Sequence, residues 1–144
     1  MSKLRLGVLA SGSGSNLQAI IDSIESGYLP CEIAVVISDN PAAYALKRAG
    51  KKGIATHIVE PGKFKDREAF DAELVRILKG HNVDLVVLAG FMRVVTRVLI
   101  NAFPMRVMNI HPALLPSFPG LHVQKKAIKY GAKFSGCTVH FVDE

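Results

Sequence analysis

Apolar runs and amphipathic stretches take turns along this chain, and that alternation narrows the fold more than any other feature. Leu4–Ala10, Cys31–Ser38, Ala55–Val59, Asp84–Ala89 and Val107–Ile110 read as strands, with helical patterns between them. Strand–helix–strand repetition of this kind builds a parallel sheet, an α/β architecture. Asp84–Ala89 is almost wholly apolar, which predicts a central strand covered on both faces. The last segment alternates Cys137, Val139 and Phe141 with Thr138 and His140, the period of a half-buried strand that is open to an antiparallel placement.

Between the strands, Ser15 is expected as the N-cap of a first helix, with Gln18 completing a capping box. Leu17, Ile20, Ile21 and Ile24 form its buried stripe and Gly27 its end. Asn40-Pro41 opens a second helix as N-cap and first-turn proline, and Gly50 or Gly53 closes it. Asp66 caps a third, whose apolar face is Phe70, Leu74, Ile77 and Leu78. Residues 96–103 read as a short helix, and Val123–Tyr130 as another up to Gly131. No repeat, low-complexity tract or linker interrupts residues 1–144. The expectation is one domain, with a mostly parallel sheet and helices on both faces.

With 144 residues and 49% hydrophobic composition, such a domain can bury a real core. No apolar run approaches the roughly 20 residues that cross a bilayer. Met1–Arg5 leads straight into a strand rather than into a signal peptide's apolar region. Cys31 and Cys137 lack metal-ligand spacing, and no two of His57, His81, His122 and His140 have it either. Reduced, buried thiols in a cytoplasmic protein without a bound metal are therefore expected. The charge of +6, from 18 Lys+Arg against 12 Asp+Glu, raises nucleic acid as a partner. An RNA-binding stretch interleaves aromatics with its basic residues. Here Lys47-Arg48, Lys51-Lys52, Lys125-Lys126 and Lys129 scatter over helices as solvated faces. A mild basic field also attracts a phosphorylated small substrate.

In open α/β sheets ligands collect beyond the carboxyl ends of the strands, where strand order reverses. Gly12–Asn16, Gly90–Val95 and His111 each follow a predicted strand and converge on that edge. Ser11-Gly12-Ser13-Gly14-Ser15-Asn16 can cradle an anion on backbone N–H groups at a helix start, or can be an ordinary tight turn. It is no Walker loop, and the third glycine of a dinucleotide fingerprint is replaced by Leu17, so that Asp39 supports a dinucleotide only weakly. Asn109 and His111 stand two apart on a strand, hence on one face, ahead of a loop stiffened by Pro112, Pro116 and Pro119. An amide donor beside an imidazole suits oxyanion stabilisation with proton movement, although a strand-end histidine can also simply satisfy a backbone partner.

Asn109-Ile110-His111-Pro112, Leu114-Leu115-Pro116 and Pro119-Gly120-Leu121-His122 together resemble the signature of the folate-dependent formyltransferases. The Ser11–Asn16 loop narrows the resemblance to the phosphoribosylglycinamide formyltransferase family, as do Leu88–Arg93 and Thr138–Val142. It extends without a gap from residue 4 to 144. It implies the Rossmann-like formyltransferase fold and transfer of a formyl group from the co-substrate 10-formyltetrahydrofolate to the amine of glycinamide ribonucleotide. Gly14, Ser15 and Asn16 would hold the substrate phosphate; Met92, Arg93, Val94 and Val95 would line the folate slot with Asn109. Arg67 matches a family arginine near the folate, though an arginine in an exposed first helical turn is commonly just solvated. Asn109 and His111 would be catalytic. Family members continue for several dozen residues, and the aspartate that holds the histidine lies past Glu144; neither Asp143 nor Glu144 matches it. The competing readings are methionyl-tRNA formyltransferase, formyltetrahydrofolate hydrolase, or a non-catalytic nucleotide- or folate-binding domain. The final apolar strand, at an under-covered sheet margin, invites a homodimer.

Overall fold

A computed structural model describes residues 3–111 and 138–141, and strand and helix alternate through them as expected. In chain order the elements are β1 (Leu4–Leu9), α1 (Ser15–Glu25), β2 (Cys31–Ser38), α2 (Tyr44–Lys51), β3 (Thr56–Ile58), α3 (Arg67–Gly80), β4 (Leu85–Ala89), α4 (Arg97–Ala102), β5 (Val107–His111) and β6 (Thr138–Phe141). The sheet runs β3-β2-β1-β4-β5-β6. The first five strands pair in parallel and β6 joins β5 antiparallel.

Three layers follow from which residues each strand turns to which side. On one side Val8, Val36, Val87, Met108 and Ile110 pack with Leu17, Ile20 and Ile21 of α1 and Ala45 and Ala49 of α2. On the other, Leu9, Ile37, Val86 and Leu88 meet Phe70, Leu74, Ile77 and Leu78 of α3, with Leu99 and Phe103. Val86 to Ala89 of β4 are all buried, which is why that run carries no alternation; each of its Val and Leu side chains contributes about 1.5–3 kcal/mol. A Cβ on Gly7 would stand 2.4 Å from Leu78 Cδ2, so glycine in mid-strand lets α3 lie close on β1. No described helix is long and apolar enough to cross a membrane.

Two helix starts differ from expectation. Gly14, not Ser15, caps α1, in a left-handed conformation (φ 76°) with no side-chain cap. The capping box does not form: the Gln18 amide donates to Asp22 Oδ1 at 2.9 Å instead. Asn40-Pro41 does not open α2. Asn40 Oδ1 accepts from Ala42 N at 3.0 Å, a side-chain turn that delays the helix to Tyr44. Its first-turn donor Ala45 N is satisfied from outside, by Gly12 O at 3.1 Å. Gly53 (φ 69°) follows the end of α2, while Gly50 lies inside it. Asp66 caps α3 as expected, accepting from Ala69 N at 2.8 Å. Cys31 is a buried free thiol whose pKa burial raises. The expected helix at 123–130, Cys137 and the proline loop lie outside the described residues.

Candidate active site

Strand order reverses between β1 and β4, because α1 carries the chain from β1 to β2 on one side while β4 takes β1's other edge. The loops leaving these two strands are tied together by Ser11, which is buried. Its N–H donates to Gly90 O at 3.2 Å and its Oγ accepts from Met92 N at 2.9 Å. The structure thus joins the two predicted loops directly, through residues 81 apart in sequence.

In the loop after β1, Gly12 and Ser13 are exposed and Gly14 is buried. The Gly14 carbonyl accepts Gln18 N at 2.8 Å and so starts α1. Ser15, exposed, and Asn16, half-buried, are the first helical residues, the position whose N–H groups have no acceptor within the helix. Small side chains and forward-facing donors suit a phosphate.

The loop after β4 is built differently. Gly90 takes φ 71°, Met92 and Val94 are 77% and 73% exposed, and Arg93 and Val95 are half-buried. The Arg93 guanidinium lies 5.2 Å from the Phe70 ring centre. What holds the far end of this loop is Asp71 of α3, only 2% exposed. Its Oδ2 accepts from Thr96 N at 2.6 Å and from Thr96 Oγ1 at 2.8 Å, and Thr96 Oγ1 in turn accepts from Val98 N to cap α4. Burial pushes the Asp71 carboxyl above its ordinary pKa, against the pull of the two Thr96 bonds. Sequence reasoning missed Asp71; its only signal was a carboxylate inside the apolar face Phe70–Leu74.

Arg67 begins α3 and is exposed, three residues ahead of Phe70. Its side chain makes no hydrogen bond or ion pair among the described residues. Asn109, half-buried, lies in β5 between Leu88 of β4 and His140 of β6, and the strand backbone continues through His111, in register with Thr138. Among the described residues no group of three or more His, Cys, Asp or Glu is placed to hold a metal. A shallow groove of about 480 Å³ between α1, β2 and residues 52–55 lies at the amino ends of the strands. Four of its charges are already paired as Arg5–Glu32 and Lys52–Glu25.

Residues 4–144 match the family model for formyl transferase. The chain is 43% identical over 137 residues to the phosphoribosylglycinamide formyltransferase of Escherichia coli, covering 95% of this chain and 65% of that protein. It is 49% identical over 142 residues to the trifunctional purine biosynthetic protein adenosine-3 of Drosophila melanogaster, covering 97% of this chain but 10% of that much longer protein. Among solved structures, glycinamide ribonucleotide transformylase 1 from Symbiobacterium toebii superimposes with a TM-score of 0.81 at 51% identity, over 98% of this chain and 66% of that one. With the fold, the strand-order reversal and nearly every residue accounted for by that match, this chain belongs to the formyl transferase family.

Proposed function

We propose that the chain transfers the formyl group of 10-formyltetrahydrofolate to the amine of glycinamide ribonucleotide, a step of purine biosynthesis. The observation that carries this reading is the 51% identity over 98% of the chain to a glycinamide ribonucleotide transformylase. Geometry supports it from two sides. Gly14, Ser15 and Asn16 offer small residues and helix-start donors for the phosphate, and Met92, Val94 and Val95, with the stem of Arg93, offer apolar surface for a flat pterin; Arg67 and Asn109 are assigned to the folate on the family resemblance.

In the reaction the substrate amine attacks the formyl carbon, and a tetrahedral intermediate places negative charge on the former carbonyl oxygen. The Asn109 amide donates to that oxygen, and His111 as imidazolium stabilises it. The C–N bond to folate N10 then breaks as the proton lost by the amine reaches N10, giving formylglycinamide ribonucleotide and tetrahydrofolate. Both ligands are small molecules, the setting is the cytoplasm, and a second copy of the chain is the macromolecular partner left open by the edge position of β6 among the described strands.

The test supplies both ligands to the purified chain and follows tetrahydrofolate release, with mass in solution measured alongside. Stoichiometric formylation of glycinamide ribonucleotide supports the reading. Binding of both ligands without any transfer reduces the chain to a ligand-binding domain, and hydrolysis of the folate without acceptor moves it to the hydrolase class.

A further inference from the structure

The underside of the loop after β1 is made by α2, a helix that has no part in the chemistry above. Ala45 N is bonded to Gly12 O, and a Cβ on Gly14 would stand 2.7 Å from Ala45 Cα and 3.2 Å from Arg48 Cδ. Loop and helix touch without spare room. Arg48 completes the contact: its Nε donates to the carbonyl of Ser13 at 2.7 Å and its Nη1 to Gln18 Oε1 at 3.3 Å. Its guanidinium carbon also lies 4.8 Å from the Tyr44 ring centre. One planar cation is thereby held by the loop backbone, by α1 and by an aromatic face.

We infer that Arg48 is a positioning residue for phosphate-ester recognition, acting through the Ser13 carbonyl rather than by touching the ligand. A trans peptide points its C=O and N–H in opposite directions. Drawing the Ser13 carbonyl down onto α2 therefore turns the Gly14 N–H away from α2; the next N–H groups in the chain, those of Ser15 and Asn16, have no acceptor within α1. Without that anchor the carbonyl, an acceptor, is free to rotate toward an arriving dianion and repel it. The same face of α2 carries Lys47 and Lys51, both exposed, within 6.0 and 5.7 Å of the Tyr44 ring. The helix contains no acidic residue, so the anchor also stands in a positive field that favours a phosphate monoester. This inference rests on residues 11–16 being the phosphate loop.

Calorimetric titration of the chain with ribose 5-phosphate, glycinamide ribonucleotide and 10-formyltetrahydrofolate tests it in the wild type, Arg48→Met and Arg48→Lys. Loss of a charge-assisted bond predicts that Arg48→Met binds both phosphate esters at least about tenfold more weakly, with folate affinity within about twofold. Arg48→Lys keeps a cationic donor within reach of the Ser13 carbonyl and recovers phosphate affinity to within about threefold of wild type. Equal losses for folate and phosphate ligands in either variant, or an unchanged phosphate affinity in Arg48→Met, overturn it. Should Arg48→Met fail to fold, Arg48→Gln takes its place under the same criteria: phosphate-ester affinity at least about tenfold down with folate spared supports the inference, and equal or no loss overturns it. A wild-type chain that binds folate but neither phosphate ester overturns this inference together with the phosphate-loop reading, whereas a binding wild type with an indifferent Arg48→Met overturns this inference only.

Discussion

The loop after β1 and the loop after β4 meet at Ser11, yet they are shaped by opposite means. The first is set by backbone: a left-handed Gly14, a carbonyl bonded to Ala45 N and another to Arg48. The second is set by side chains: one buried carboxylate, Asp71, grips Thr96, while Met92 and Val94 are left standing in solvent. A backbone-shaped loop is intolerant of added volume and of changes in φ. A side-chain-shaped loop is intolerant of losing one polar group. On the proposed reading, an anion held by N–H groups calls for the first kind of loop, and the face of a flat ring for the second.

The largest effect falls on neither loop. His111→Ala is expected to slow formyl transfer at least about a hundredfold while both ligands bind nearly as before; turnover and separate binding titrations check this, and a variant with wild-type turnover removes His111 from the chemistry. Next comes Gly14→Val. A β-branched residue at φ 76° costs about 1–3 kcal/mol in strain, and its Cβ meets Ala45. Ribonucleotide binding should fall at least about tenfold, whereas Gly12→Ala, where a Cβ meets nothing within 4 Å, should change it less than about twofold. Equal damage at the two glycines would mean that the loop is not shaped from below.

Asp71→Ala is the counterpart on the other loop. It strands the two Thr96 donors, which costs about 1–3 kcal/mol, and should weaken folate binding several-fold while sparing the ribonucleotide. If both affinities fall together, Ser11 couples the loops into one unit and the contrast between them fails.

The smallest effect lies away from the site. His57 Nε2 is 3.2 Å from His81 Nε2; burial, then His81 and Arg76, hold His57 below the ordinary histidine value of 6.5, with Glu73 opposing. A depressed folded pKa means that the unfolded chain binds more protons in that window. Stability is therefore lost as the pH falls from 6.5 through the folded value. Thermal melts between pH 7.5 and 5 should slide downward, the slide should flatten in His57→Gln, and the relative affinities of the two ligands at neutral pH should not change.

How much of this was legible in the sequence depends on the distance over which each signal acts. The strands, the α3 face of Phe70, Leu74, Ile77 and Leu78, and the Asp66 cap are written in spacings of a few residues, and all are found. The start of α2 was misplaced because Asn40 has two local uses, capping a helix or closing a turn, and Gly12 O had already taken over a donor that a cap would serve. Ser15 likewise lost the cap to Gly14, whose left-handed φ no neighbouring residue announces. The loops holding Gly14, Ser15, Asn16 and Met92 to Val95 could be placed because each follows a strand. Arg48 and Asp71 could not, since their partners lie 35 and 25 residues away and nothing periodic marks such a pair.

The central position of β1 has a consequence for how the chain is made. One of its edges is filled early, by β2, in the register Leu4 with Cys31. The other waits for β4, in the register Leu6 with Leu85. As the chain emerges from the ribosome, β1, α1, β2, α2 and β3 can all assemble while that second edge stays bare, a template open to any passing strand. Ser11 cannot reach Gly90 or Met92 until the edge closes. Filling the second edge of β1 and bringing the two loops together are therefore one event, and a nascent chain caught before it has both a bare strand edge and two separated loops.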